Sequence, residues 1–342
     1  MDKNSVRFTL PLWLIVLLCF ACCSTAKSPE KTDEQWLTYT GNGGPGSGKN
    51  VVFISGDEEY RSEEALPMLA QLLARKYGFT CTVLFSINPS NGEVDVRYPS
   101  NIPGLAKLDS ADLMVVFTRF RELPQDQMRH IDDYLKAGKP VIGLRTATHA
   151  FHYAKNPDDE FAGYDFQSTK PGWENGFGKL VLGETWVSHH GDHGKEGTRG
   201  VINEDNALNP ILNGVKDIWG PTDVYTVGPL DGANVLVYGQ STSGMTADAP
   251  INENKVVMPI AWTRNYVLPG GKSGKAFTTT MGASVDFQSE DLRRLLVNAC
   301  FWATNLEEQI PEEADVAFVS IYLPTMFGFD NVKEGRFPAD YR

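Results

Sequence analysis

From Asn50 onward the chain alternates short, uninterrupted apolar runs with segments of helical spacing. "VVFISG" (residues 51–56) is apolar throughout and ends on glycine, the pattern of a strand buried on both faces of a parallel sheet. Leu66, Leu69, Ala70, Leu73 and Tyr77 then recur at helical intervals. Glu63 and Glu64 suit the positive end of that helix, Pro67 fits only its first turn, and Gly78 stops it. "TCTVLFS" (80–86) and "DLMVVFT" (112–118) predict two more strands. Pro124 opens a helix that turns Met128, Ile131 and Leu135 inward and halts at Gly138, and "PVIGL" (140–144) predicts the fourth strand. Such alternation predicts an α/β, doubly wound, mostly parallel sheet with helices on both faces.

Downstream the pattern loosens. "DVYTV", "NVLVYG", "VVMPIAWTR" and "KAFTTTMG" read as strands separated by Gly and Pro. "SEDLRRLLVNACFWATN" closes the pattern as an amphipathic helix, apolar at Leu292, Leu295, Leu296, Ala299, Phe301 and Trp302. No internal repeat is visible, so one domain is expected over residues 50–305, its later strands extending the first sheet. Residues 306–342 are expected to pack on it as a C-terminal extension. The polar, glycine-rich residues 27–49 read as a flexible tether. Their last part, "GGPGSGK", matches half of a phosphate-binding loop, but a strand follows it where a helix is needed, and Asn50 stands where Ser or Thr should.

Charge narrows the partners. The 342 residues carry a formal net charge of -12, with a pI near 5.0, which argues against nucleic acid. Lys3 and Arg7 precede an apolar run, Leu10 to Ala21, too short for a comfortable membrane span, and Ser24, Thr25 and Ala26 supply small residues for cleavage. Residues 1–26 therefore read as a signal peptide. Cys22 after Ala21 also resembles a lipid-acylated cysteine, although Cys19 stands where that motif usually has Leu. Export to the periplasm, or anchoring there by lipid, is the expectation, and lipid is the only membrane contact expected. Three of the five cysteines lie in this segment. Cys81 and Cys300 sit in apolar runs, no Cys-x-x-Cys spacing exists, and both read as core residues.

Ligands of open parallel sheets bind beyond the strand C-termini. Asp57, Glu58, Glu59 and Tyr60 follow the first strand, Arg119 and Arg121 the third, and Arg145, Thr146, Thr148 and His149 the fourth. Arg264 follows "IAWT". His149 is expected near the start of a helix, where the dipole favours a neutral, proton-accepting ring, with His152 one turn further on. Of the six histidines only His130 stands apart. Three lie in "SHHGDHG" (188–194), with His189, His190, Asp192 and His193. Gly191 and Gly194 argue against a helical pair of zinc ligands. His190 and Asp192 could join His149 as two histidines and a carboxylate for Zn, Mn or Fe. Metal-free acid/base or sugar hydrogen bonding stays open, as does a loop bonded only to its own backbone.

Four stretches together, "VVFISGDEEYRSEEALPMLAQLLARKYGFTCTVLF", "LMVVFTRFRELP", "KPVIGLRTATHAF" and "TTTMGASVDFQSEDLRRLLVNACFW", resemble the trehalose-utilisation (ThuA-like) family. The resemblance covers nearly all of 50–305. It implies a class I glutamine-amidotransferase-like, flavodoxin-like fold and the use of disaccharides oxidised to a keto form. Amidotransferases of that superfamily carry a nucleophilic cysteine after the corresponding strand; here "GLRTATH" has Arg145 and Thr146, which removes thiol-based amide hydrolysis. Many members have a histidine after the late strand where this chain has Ala283. The expected activity is therefore hydrolase, lyase or isomerase chemistry on a keto sugar by histidine acid/base catalysis. His149 or His190 is the expected base, Asp192 orients it, Arg145 or Arg119 stabilises the developing anion, and Asp57 and Glu58 accept sugar hydroxyls. Tyr60, Arg119, Arg264, His189 and His193 complete the expected substrate contacts. The alternative is a non-catalytic sugar-binding module in which Trp173, Trp186, Trp262 or Tyr266 stacks on sugar faces.

Overall fold

A computed structural model describes residues 1–2 and 34–342, so nearly all of the expected signal peptide, with Cys22, lies outside the described residues. Glu34–Arg342 forms one compact unit. No helix among the described residues is long and apolar enough to cross a membrane.

Ten strands make one sheet: β1 (Trp36–Tyr39), β2 (Asn50–Gly56), β3 (Thr80–Phe85), β4 (Leu113–Thr118), β5 (Val141–Leu144), β6 (Gly197–Ile202), β7 (Trp219–Gly220), β8 (Ala233–Thr242), β9 (Met258–Val267) and β10 (Ser273–Thr279), in the order β1-β3-β2-β4-β5-β10-β9-β8-β6-β7. The stretch from β3 to β10 is parallel, and every remaining pairing is antiparallel. The expectation of a mostly parallel sheet is thus corrected to a mixed one. The reason is connection length. Only a short loop joins Val267 to Ser273, too little chain for the crossover that a parallel partner requires. "DVYTV" does not form a strand; it contributes one bridge, Tyr225 to His189. Nor are residues 27–49 a tether to their end, because β1 pairs with β3 and buries Leu37.

Three long helices flank the sheet. α1 (Ser62–Tyr77) starts slightly earlier than expected, which places Pro67 beyond the first turn, and it ends on Gly78 at φ 82°. α3 (Glu290–Ala303) begins where the Ser289 side chain accepts the Leu292 N–H. Both pack with Val51 and Phe53 in one apolar core. α2 (Gln125–Lys136) packs with Val52 and Ile54 in the other. The alternation along β2 therefore feeds both layers. Beyond α3, Ala314, Val316 and Phe327 are buried in the α1/α3 core, so the C-terminal segment is part of this unit.

Candidate active site

The turn after β5 is a 3-10 turn, Arg145–His149, where a longer helix was expected; His152 lies beyond it in a loop. Arg145, the first residue of this turn, adopts φ 45°. Its guanidinium is fully buried between the rings of Tyr60 (4.5 Å) and Tyr225 (3.8 Å). It donates to the carbonyls of Asp223 (2.7 Å) and Thr280 (2.8 Å), to the Tyr60 hydroxyl (3.2 Å) and to Asp223 Oδ1 (3.0 Å). So enclosed, neither Arg145 nor Tyr60 reaches a substrate, and their expected catalytic and binding roles become positioning ones.

Asp223, which sequence reasoning took for the start of a strand, is the centre of the arrangement. Its Oδ2 accepts from His189 Nδ1 at 2.7 Å, and its Oδ1 accepts from His193 Nδ1 at 3.1 Å. Burial alone would raise this carboxyl, but Arg145 and the two histidines hold it far below the usual carboxylate range. His193 also meets Glu59 Oε1 through Nε2 at 3.2 Å. A histidine with a carboxylate on each ring nitrogen is a cation, and these two bonds raise its pKa to about 9 against the opposing effect of burial.

Backbone contacts fix which way the glycine-rich loop faces. The His190 and Gly191 N–H groups both donate to the Val224 carbonyl (2.9 and 3.0 Å), and the Thr226 N–H donates to Ser188 O (2.9 Å). This turns His189 and His193 inward and their neighbours outward. His190 Nε2 bonds Val256 O at 2.8 Å, and Asp192 Oδ1 accepts from Lys255 Nζ at 2.9 Å. The expected base His190 and its orienting Asp192 therefore anchor the loop elsewhere, and the trio His149, His190 and Asp192 does not converge as a metal site.

Other expected contacts sort similarly. Asp57 is wholly buried, accepting the N–H groups of Glu59 (2.7 Å) and Tyr60 (2.5 Å) and the Thr146 hydroxyl, and burial lifts its pKa to about 6, helped by Glu58. Glu58 is engaged by Arg119 and by Arg121 (2.9 Å). Neither acid is free for sugar hydroxyls. Arg264 is on the opposite edge, because β9 runs antiparallel to β10; its Nη1 donates to Lys179 O. Trp262 and Tyr266 are core residues, and Trp173 packs on Tyr164 at 4.7 Å.

His149 remains beside the site. Its ring lies 5.1 Å from Phe120, 5.5 Å from Trp186 and 6.4 Å from Tyr225, while His189 is 6.0 Å from that same Trp186 and 5.5 Å from Tyr225. Burial first, then Arg119, keeps His149 well below the ordinary 6.5 and hence neutral. Phe327 packs on Tyr60 and His193, and Phe329 lies under the Arg119 guanidinium at 5.3 Å. Apart from Asp223, the site residues unforeseen from sequence are Phe120, Phe166, Tyr225, Phe327 and Phe329; Glu59 was placed at this edge by the acidic turn after β2, but without a role.

Among the described residues, His189, His193 and Asp223 form the one group close enough to share a metal, with ligand atoms within 4.8 Å of one another. Both nitrogens of His193 and both oxygens of Asp223 make hydrogen bonds here, which a bound metal would have to replace. What the group can do is move a proton. Asp223 fixes the Nδ1–H tautomer of His189 and leaves Nε2 as a base on a ring about one-third exposed. The cysteines among the described residues, Cys81 and Cys300, are buried with their thiols pushed up by desolvation, so neither is a nucleophile.

The model of one family, ThuA (trehalose utilisation), matches residues 50–303. The chain belongs to this family, which suggests a carbohydrate-related function. Among solved structures it is similar to a ThuA-like protein from Bacteroides uniformis ATCC 8492, at 15% identity and a TM-score of 0.46, covering 75% of this chain and 90% of that one. A ThuA-like protein from Parabacteroides merdae ATCC 43184 has 14% identity and a TM-score of 0.45, covering 86% and 99%. No curated protein matches the chain.

Proposed function

We propose that this chain is an exported, carbohydrate-active enzyme that takes a proton from the carbon beside the keto group of an oxidised disaccharide, with His189 as the base. The observation that carries the proposal is the 2.7 Å bond from His189 Nδ1 to the buried Asp223, which leaves Nε2 to receive a proton. In a 3-keto glycoside the carbon between the ketone and the anomeric centre is acidic. Its C–H pair moves onto the ketone oxygen as an enolate, and its return expels the glycosidic oxygen, which picks up a proton. The bond breaks with no thiol. The cations Arg119 and His193 stand nearby to stabilise the enolate. The parallel strands run in the order β3-β2-β4-β5-β10, and ligands of open parallel sheets bind beyond their C-terminal ends, where these residues lie.

The test is turnover of a 3-keto disaccharide by wild type, His189→Ala and His190→Ala. A positioned base is worth about 10²- to 10⁴-fold, so His189→Ala should lose that much while His190→Ala keeps near wild-type rates. Equal rates in wild type and His189→Ala sink the assignment. Turnover should survive EDTA; loss with EDTA and recovery with Zn or Mn would replace the hydrogen-bonded reading with a metal one. Export and the lipid anchor rest on residues 1–26 and are tested by fatty-acid labelling in cells.

A second reading is a sugar-binding module without catalysis. It is favoured by the aromatic wall of Phe120, Phe166, Trp186 and Phe329, which offers flat faces to a sugar. Binding of the keto sugar without consumption would select it.

A further inference from the structure

We infer that the C-terminal segment supplies one wall of the substrate site, and that Phe329 on it selects substrates with a second sugar ring. The family match ends at residue 303, so this wall belongs to the part of the chain beyond it. The inference rests on the carbohydrate reading of the His189 site.

Hydrogen bonds tie the segment down as it reaches the site. Thr325 gives its N–H and its hydroxyl to Glu64 (2.7 Å each), and its carbonyl accepts from Ser284 Oγ (2.9 Å). The Gly328 N–H donates to the Glu59 carbonyl (2.8 Å), and the Gly328 carbonyl accepts from the buried Arg61. Gly328 holds φ 127°, a conformation that side chains disfavour, and the turn it makes sends its two neighbours to different places. Phe327 is buried against Tyr60 and His193, whereas Phe329 stays 49% exposed beside Arg119.

These two rings close a circuit of contacts that includes the candidate base. Phe327 meets His193 at 5.4 Å, and His193 meets His189 at 4.6 Å. From His189 the contacts run to Trp186 (6.0 Å), then His149 (5.5 Å), then Phe120 (5.1 Å). The Arg119 guanidinium follows, with Phe120 at 4.3 Å and Phe329 at 5.3 Å. Buried Glu59 spans the circuit, its Oε1 3.2 Å from His193 and its Oε2 3.6 Å from Arg119. The Phe329 side is thus one carboxylate away from the His189 group. Aromatic rings with a few directed polar groups are the lining of a small-ligand site. Burial does not account for Phe329, and Arg119 already has Phe120, Glu58 and Glu59 as partners. A half-open ring on a tethered backbone is a preformed face for the apolar side of a pyranose. With the reacting ring at His189, the second ring of a disaccharide falls at the outer edge, where Phe329 stands.

Steady-state kinetics of the full chain test it, with a 3-keto disaccharide and a methyl 3-keto glycoside that has no second ring. Phe329→Ala should raise KM for the disaccharide about 3- to 10-fold, the value of one aromatic contact, and raise KM for the methyl glycoside less. Phe329→Trp should restore the disaccharide KM. Leu323→Ala, at an exposed position of the same segment, should match wild type on both substrates. An unchanged disaccharide KM in Phe329→Ala, or an equal loss on both substrates, overturns the inference. Where wild type consumes neither substrate, calorimetric titration with the 3-keto disaccharide decides. Binding that weakens in Phe329→Ala would then refute the proposed chemistry and leave the wall standing. Absence of binding, or binding indifferent to Phe329, overturns the inference.

Discussion

Gly191 lies so close to Asp223 that a β-carbon placed on it would come within 2.8 Å of the aspartate Cβ. Glycine at this position lets the histidine loop settle onto the residue that orients both of its inward-facing rings. Gly191→Ala should push loop and aspartate apart. The expected cost is about 1–3 kcal/mol from overpacking, with a fall in turnover larger than any loss of sugar binding. Urea unfolding beside steady-state kinetics would check it, and wild-type kcat in this variant would refute the close fit.

Asp223→Asn keeps the shape but removes the charge that Arg145 and the two histidines share. Arg145 and Asp223 are both fully buried, so the variant leaves an uncompensated cation inside the protein. A stability loss of about 3–5 kcal/mol is expected, together with loss of activity. A variant as stable as wild type would show that Arg145 finds another partner.

His193 gives the fold a pH dependence of known sign. Its folded-state pKa of about 9 lies above the ordinary 6.5, so protonation favours the folded state. Its contribution is complete below pH 6.5 and is lost as pH rises through 9. Asp223 and Glu59 are held low and act oppositely, losing their contributions as pH falls through the acid range. The difference in urea midpoint between wild type and His193→Gln should therefore shrink between neutral pH and pH 9. A constant difference would mean that His193 is not held as a cation.

Phe327→Ala should cost about 3 kcal/mol, since a buried ring against Tyr60 and His193 is replaced by a cavity. Calorimetric melting would read the loss. A loss near zero would mean that the C-terminal segment does not support the site.

Much of the frame was legible because apolar runs and capping residues are local signals. β2 to β5, α1, α2 and α3 follow from them, and Gly78, Gly138 and Ser289 mark boundaries within a residue or so. Strand direction was not legible. An apolar run such as "IAWT" reads the same either way, and only the shortness of the Val267 to Ser273 connection hints at a hairpin; Arg264 was misplaced for that reason. The loop histidines were visible as a cluster, but which of them faces inward depends on the carbonyl of Val224, distant in sequence. Asp223 itself carried no mark, since a buried aspartate before "VYTV" looks like any strand start.

The position of β10 bears on how the protein reaches its working form. It is the last strand in the chain yet sixth of ten across the sheet, joining the parallel part to the antiparallel part, and the carbonyl of Thr280 just after it holds Arg145. Neither part of the sheet has its inner neighbour until the chain is almost complete. Contacts this distant in sequence make for slow, cooperative folding. Truncated or half-refolded chains will thus lack the arginine clamp on Asp223, and sugar chemistry should emerge together with the native state rather than ahead of it.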